Sequence, residues 1–208
     1  MENIILGFLT GGSLILVIGP QNLFVIEQGL KKNFIFTITT ICAVSDVLLI
    51  SLGIFVYHIF DFISLEVEII LNIILILFLI RFLKGKFKDL IIDQKIENLK
   101  QSQNIKSIIL KTLGFTYLNP HVYSDTVLIL GNLSKNFVLQ EKLFFAIGAS
   151  FASIIYFYSL GYMSSFFSKF IRKQNIWRYI NIFIIVFMII LLIYIINDTI
   201  QSLDNHFR

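Results

Sequence analysis

Apolar residues in this chain come in long runs with few charged positions between them. Asn3 to Ile26 contains no charged residue, and neither does Leu143 to Ser168 or Tyr179 to Asn197. Asn33 to Tyr57 is interrupted only by Asp46, and Thr112 to Ser134 only by Asp125. A sixth run, Leu65 to Leu83, carries Glu66 and Glu68 at one end and Arg81 near the other. A helix needs about 20 apolar residues to cross about 30 Å of hydrocarbon. The pattern therefore predicts an all-α integral membrane protein with about six transmembrane helices. They span residues 4–26, 34–57, 65–83, 112–134, 143–168 and 179–197, in one domain covering 1–208. Residues 84–106 are expected to form the one sizeable cytoplasmic loop, a solvated connector or else a short helix lying on the inner leaflet.

Composition agrees. The chain is 57% hydrophobic and 14% charged, where a soluble domain averages about 25% charged residues. The net charge of +4 is not a nucleic-acid signal, because its distribution follows the bilayer. Two lysines, Lys31 and Lys32, follow the first run, eight basic residues follow the third, and four follow the fifth. Fourteen of the 17 basic residues thus share one face. The positive-inside rule puts that face in the cytoplasm and both termini outside. The start, Met-Glu-Asn, lacks the basic flank of a signal peptide, so the first span is expected to be retained. Cys42 is the single cysteine, which rules out an intrachain disulfide and suits a packing role. Gly7-x-x-x-Gly11 and Gly148-x-x-x-Ala152 allow close helix contacts, either internal or between subunits of a homo-oligomer.

Polar features inside the runs carry the functional reading. The chain has two prolines, and both interrupt predicted spans, as Gly19-Pro20 and Asn119-Pro120. A mid-helix proline frees the carbonyl four residues back, here Leu16 and Thr116. Broken helices at matching places in two halves point to a transporter site, and with three helices per half the repeats would be inverted. Asp46 and Asp125 are stronger signals, since a carboxylate in hydrocarbon costs about 2.5–3.5 kcal/mol. At 1.5 Å per residue both lie roughly 18–20 Å from the same face. No cation shares that depth, so the pair suits a cationic substrate, a proton, or the two in alternation. His121, beside Pro120, suits a proton relay and equally a neutral hydrogen-bonding role. His58 and His206 sit at a helix end and in the tail. No metal-ligand cluster, cofactor motif or hydrolase nucleophile motif is present.

Three blocks carry a family resemblance: GPQNLFVIEQGLKK from Gly19, CAVSDVLLI from Cys42 and LNPHVYSDTVLILG from Leu118. In order, spacing and chain length they resemble the lysine exporter (LysE) family of bacteria, in its lysine/arginine branch. The resemblance implies a secondary exporter of basic amino acids in the cytoplasmic membrane. Glu27, Leu23 and Ser124 depart from the arginine, alanine and leucine common in the family. On this reading Gln21, Asn22, Asn119 and freed carbonyls bond the amino acid's α-ammonium and carboxylate groups. Asp46 and Asp125 hold its cationic side chain or an exchanged proton. A neutral amino acid or a metal cation would use the same scaffold, and a non-transporting assembly subunit would use the aspartates for helix association.

Overall fold

In lipid every backbone polar group has to be bonded within its own segment, which makes helices the outcome for such runs. The computed structural model, which describes residues 1–16, 19–60, 65–91, 104–170 and 174–206, is helical throughout, with no strand among those residues. The elements are α1 (Glu2–Ile15), α2 (Pro20–Lys31), α3 (Ile35–Phe60), α4 (Leu65–Ile91), α5 (Ile105–Tyr117) and α6 (Pro120–Tyr123). A π-helical segment (Ser124–Ile129) then leads into α7 (Leu130–Ser134), α8 (Leu139–Phe167), a short 3₁₀ turn (Ser168–Phe170) and α9 (Gln174–His206).

Three of these helices are long and apolar enough to cross a membrane, at Ile35–Val56, Leu139–Phe167 and Arg178–Gln201. The first predicted span is a bent pair, with α1 and α2 meeting at 80°. The region 105–134 is divided among α5, α6, the π segment and α7. At the start of the expected loop at 84–106, α4 continues as helix to Ile91. Lysines at 84, 86 and 88 look like loop charges in sequence, but a helix can carry them on long apolar stems. Residues 92–103 lie outside the described residues.

Helix α8 is the hub, packing against α1, α2 and α3, while α4 pairs with α9. The small-residue motifs explain the closest of these contacts. A Cβ on Gly7 would overlap the backbone of Phe145, and one on Gly148 would overlap the backbone of Ile4 and Phe8. Both motifs thus serve the internal α1–α8 crossing. Cys42 is fully buried in the main apolar cluster, with Phe24, Leu75, Leu79, Phe115 and Met188. Large apolar side chains stay exposed on the outer faces, including Leu9, Phe36, Leu77, Phe151 and Phe183, as expected of helices that meet lipid.

Candidate functional site

The prolines do not kink continuous helices; each one starts a new helix. Gly19 is extended (φ −114°, ψ 179°) and Pro20 opens α2, a first-turn position where the missing N–H costs nothing. Pro120 opens α6 in the same way, after α5 has ended at Tyr117. The orphan carbonyls at the ends of the preceding helices need donors, and side chains just past each proline supply them. Asn22 Nδ2 donates to the Ile15 carbonyl at 3.2 Å, and the Tyr123 hydroxyl donates to the Tyr117 carbonyl at 2.8 Å. These side-chain bonds go to Ile15 and Tyr117, not to the Leu16 and Thr116 carbonyls named from the sequence. The two breaks face each other, since a Cβ on Gly19 would lie 4.0 Å from Asn119 Nδ2.

Between the breaks is a cavity of about 470 Å³. Gly19, Pro20, Gln21 and Asn22 line it from the first break, Asn119 from the second, Asp46 from α3 and Asp125 from the π segment. Among the described residues its lining includes two carboxylates and no Lys or Arg. Asp46 is buried and accepts a 3.0 Å hydrogen bond from the Ser153 hydroxyl on α8. The Nε2 of Gln21 is buried without a hydrogen-bond partner among the described residues, which leaves a donor available to a ligand. Phe157, Ile190 and Leu191 form an apolar wall. This combination, a few convergent polar groups in an apolar concavity, is typical of a small-molecule site.

Gly19, Pro20, Gln21, Asn22, Asp46, Asn119 and Asp125 therefore converge, while the side chains of Pro120 and His121, like those of His58 and His206, lie outside the described residues. Arg81 and the aspartates do not meet: Arg81 lines a different cavity, between α2 and α4. Among the described residues no group of three or more His, Cys, Asp or Glu could hold a metal ion. Sequence reasoning missed Ser153, Thr126 and Tyr194. A serine or threonine in a span routinely bonds its own helix, as Thr126 does to the Val122 carbonyl, and so gives no signal. Tyr194, a polar tip within an apolar run, was the readable one. The π segment that aims Asp125 also went unseen. Such segments recur at functional sites.

Glu27, one of the departures from the family pattern, lies apart from the central cavity. It is fully buried, with Oε1 in ion-pair contact with both Lys31 and Lys86. Lys86 further donates to Asn181 Oδ1 at 3.1 Å, so one polar chain ties α2 to α4 and α9.

A family model described as LysE type translocator matches residues 12–199. The chain is 33% identical over 189 residues to the arginine exporter protein ArgO of Pectobacterium carotovorum subsp. carotovorum, covering 88% of this chain and 90% of that protein. It is 32% identical over 182 residues to the protein of the same name in Serratia proteamaculans, covering 84% and 86%. The Salmonella typhimurium arginine exporter protein ArgO is 33% identical over 189 residues, covering 88% and 87%. No solved structure matches the chain significantly. The chain belongs to the LysE type translocator family and is a multi-pass membrane transporter, not an enzyme.

Proposed function

We propose that the protein exports arginine, and lysine with it, across the bacterial cytoplasmic membrane in exchange for protons. The observation that carries this reading is the cavity at the helix breaks, where Asp46 and Asp125 face a space lined, among the described residues, by no Lys or Arg. Such a cavity attracts a cation of a size that about 470 Å³ admits. The relatives named arginine exporters supply the substrate class.

In this mechanism Gln21, Asn22 and Asn119 bond the α-ammonium and carboxylate groups, and the two aspartates hold the guanidinium or ammonium group, then a proton. His121 takes part as a proton relay or as a neutral hydrogen-bonding group. Moving a monocation outward against an inside-negative potential costs about 2.3 kcal/mol per 100 mV. Counter-movement of one proton makes the exchange electroneutral, and a second adds the potential as a driving force. Carboxylates that bind either species enforce the exchange.

The same proposal covers architecture. The 105–134 region and α4 complete six spans, with the basic face and the C-terminal end of α2 in the cytoplasm. The halves are inverted repeats, which draws support from the like construction of the two breaks: proline at the first helical position, and a side chain two or three residues on bonding the preceding helix. Alternating access would move one half against the other.

The test is efflux of radiolabelled arginine and lysine from preloaded cells lacking basic exporters, comparing wild type, Asp46→Asn and Asp125→Asn at matched membrane levels. Efflux in wild type that disappears in both variants is expected. A well-expressed wild type with no efflux removes the substrate assignment, and efflux indifferent to both substitutions removes the mechanism.

A further inference from the structure

Helices in lipid hold each other tightly where small residues let their backbones touch. Gly7, Gly11 and Gly148 do this between α1 and α8, Gly29 between α2 and α8, and Gly53 between α3 and the π segment. A Cβ on any of these glycines would overlap backbone atoms of the facing element. Helix α3 also packs on α5, α7 and α8, so all these elements form one frame. Helices α4 and α9 stand outside it. They pack on each other, and neither brings its backbone closely against α1, α3 or α8. Their glycine contacts differ in kind. Gly85 on α4 has nothing within 4 Å of a Cβ, and Gly114 on α5 meets α4 through the ring of Phe78, not through backbone.

The seam between frame and pair is bridged by side chains. Phe82 of α4 meets Phe24 of α2 and Phe115 of α5, and Phe78 meets Phe115. Glu27 of α2 meets Lys86 of α4, which also donates to Asn181 within the pair. Both cavities open on this seam. Ile190, Leu191 and Tyr194 of α9 wall the central one. The second, of about 300 Å³, has Phe78, Phe82 and Lys86 of α4 on one side and Phe24, Glu27 and Gln28 of α2 on the other. Along α2 the central cavity takes its last lining residue at Asn22 and the second takes its first at Phe24. A seam that already contains empty space loses fewer contacts on parting than a packed one.

The tight crossings cut across the two halves, since α1 belongs to the first and α8 to the second. Moving one half against the other would have to break them. We propose that the α4–α9 pair is the moving body of the transporter, and that it swings as a unit against the frame. In the arrangement described here Phe24, Phe78, Phe82 and Phe115 close the passage between the two cavities, and the Glu27–Lys86 contact latches it. Parting α4 from α2 joins the cavities into one passage that leads along α2 towards its C-terminal end. Rigid-body movement along a seam of side chains needs no repacking inside either body. The inference rests on the transport reading and not on arginine as the cargo. It replaces movement between halves in the exchange proposed above and leaves the exchange itself unchanged.

The test is pulsed electron–electron distance measurement between spin labels on the full chain in lipid nanodiscs, in a Cys42→Ala background. Leu9 on α1, Leu77 on α4, Met163 on α8 and Tyr179 on α9 are all exposed and take the labels as cysteines, two at a time. The Leu77–Met163 pair crosses the seam and is expected to show two distances, with Lys86→Met shifting the balance to the longer one. Leu9–Met163 lies within the frame and Leu77–Tyr179 within the moving pair, so each is expected to show one distance that Lys86→Met leaves in place. Should Lys86→Met fail to fold, Gly114→Ala unseats the Phe78 ring and is expected to give the same shift. A single Leu77–Met163 distance that the variant does not move would overturn the inference. So would two distances for either of the other pairs, which is the signature of movement between halves. A balance that answers to the variant but not to added L-arginine supports the seam and removes arginine as the cargo.

Discussion

The Ser153 hydroxyl on α8 donates a 3.0 Å hydrogen bond to Oδ2 of Asp46 on α3, with both side chains buried. This bond joins the hub helix to one of the two carboxylates of the central cavity and sets how Asp46 points. Hydrogen bonds to charged groups contribute about 1.5–3 kcal/mol. Ser153→Ala should leave Asp46 in place but less well oriented, because the substitution removes one oxygen and little volume. Arginine efflux at matched membrane level should need roughly tenfold more internal substrate for half-maximal rate, a factor that corresponds to about 1.4 kcal/mol. Unchanged half-saturation in preloaded vesicles would show that Ser153 only packs.

Gly53 sets the distance between α3 and the π segment. A Cβ there would lie 2.5 Å from the Thr126 carbonyl oxygen and 2.6 Å from the Val127 Cα, both backbone atoms with nowhere to rotate. Asp46 is two helical turns earlier on α3, and Asp125 stands next to Thr126 on the π segment. Pushing the two elements apart therefore moves the two carboxylates apart. Overpacking of this kind costs typically about 1–3 kcal/mol. Gly53→Ala should lower the melting temperature in detergent and reduce efflux at matched membrane level. A variant with wild-type stability and flux would mean that the contact is softer than its geometry indicates.

Much of the central cavity was legible in the chain because lipid makes polar exceptions stand out. Asp46, Asp125, Gly19-Pro20 and Asn119-Pro120 each break an apolar run, and the fold gathers Asp46, Asp125, Gly19, Pro20 and Asn119 around one space. The nature of the breaks was less legible. Proline says that a hydrogen bond is lost, but whether the helix kinks or stops and turns through 80° depends on neighbours that sequence does not display. The Glu27–Lys86 pair was invisible for a different reason. Its partners are 59 positions apart, and Lys86 lies in a stretch whose charges read as a surface connector. Only the side-chain contacts that α4 makes to α2 across that gap, Glu27–Lys86 and Phe24–Phe82, give Lys86 an interior. The same blindness applies to Ser153, which touches Asp46 from 107 residues away.

Glu27 is the shared counter-ion of two buried lysines, so its removal and theirs should not be equivalent. Glu27→Gln leaves both Lys31 and Lys86 without their carboxylate. Breaking a buried pair in this way costs about 3–5 kcal/mol. Lys86→Met keeps the stem volume and leaves the Glu27–Lys31 pair intact, so it should cost much less. Membrane yield and melting temperature should therefore rank wild type, then Lys86→Met, then Glu27→Gln. The reverse ranking would mean that the link from α4 to Asn181 matters more than charge balance on α2.

The two helix breaks make the last prediction, because they are built alike from different side chains. Asn22 bonds the Ile15 carbonyl and Tyr123 bonds the Tyr117 carbonyl, each satisfying the end of a helix that stops before a proline. Asn22→Asp keeps the shape but removes the donor, and adds a charge to a cavity that already has two carboxylates. Asn22→Leu is the cleaner comparison with Tyr123→Phe, since each replaces the donor with apolar atoms. Both bonds are part-buried, so each lost bond should cost up to about 1–3 kcal/mol, and both substitutions should lower the melting temperature by a similar amount. If the halves act as repeats, both should also slow efflux, because each loosens one of two facing breaks. Loss of flux from Asn22→Leu with full flux from Tyr123→Phe would show that the first break binds substrate while the second is only structural. That outcome would remove the functional symmetry while leaving the fold as described.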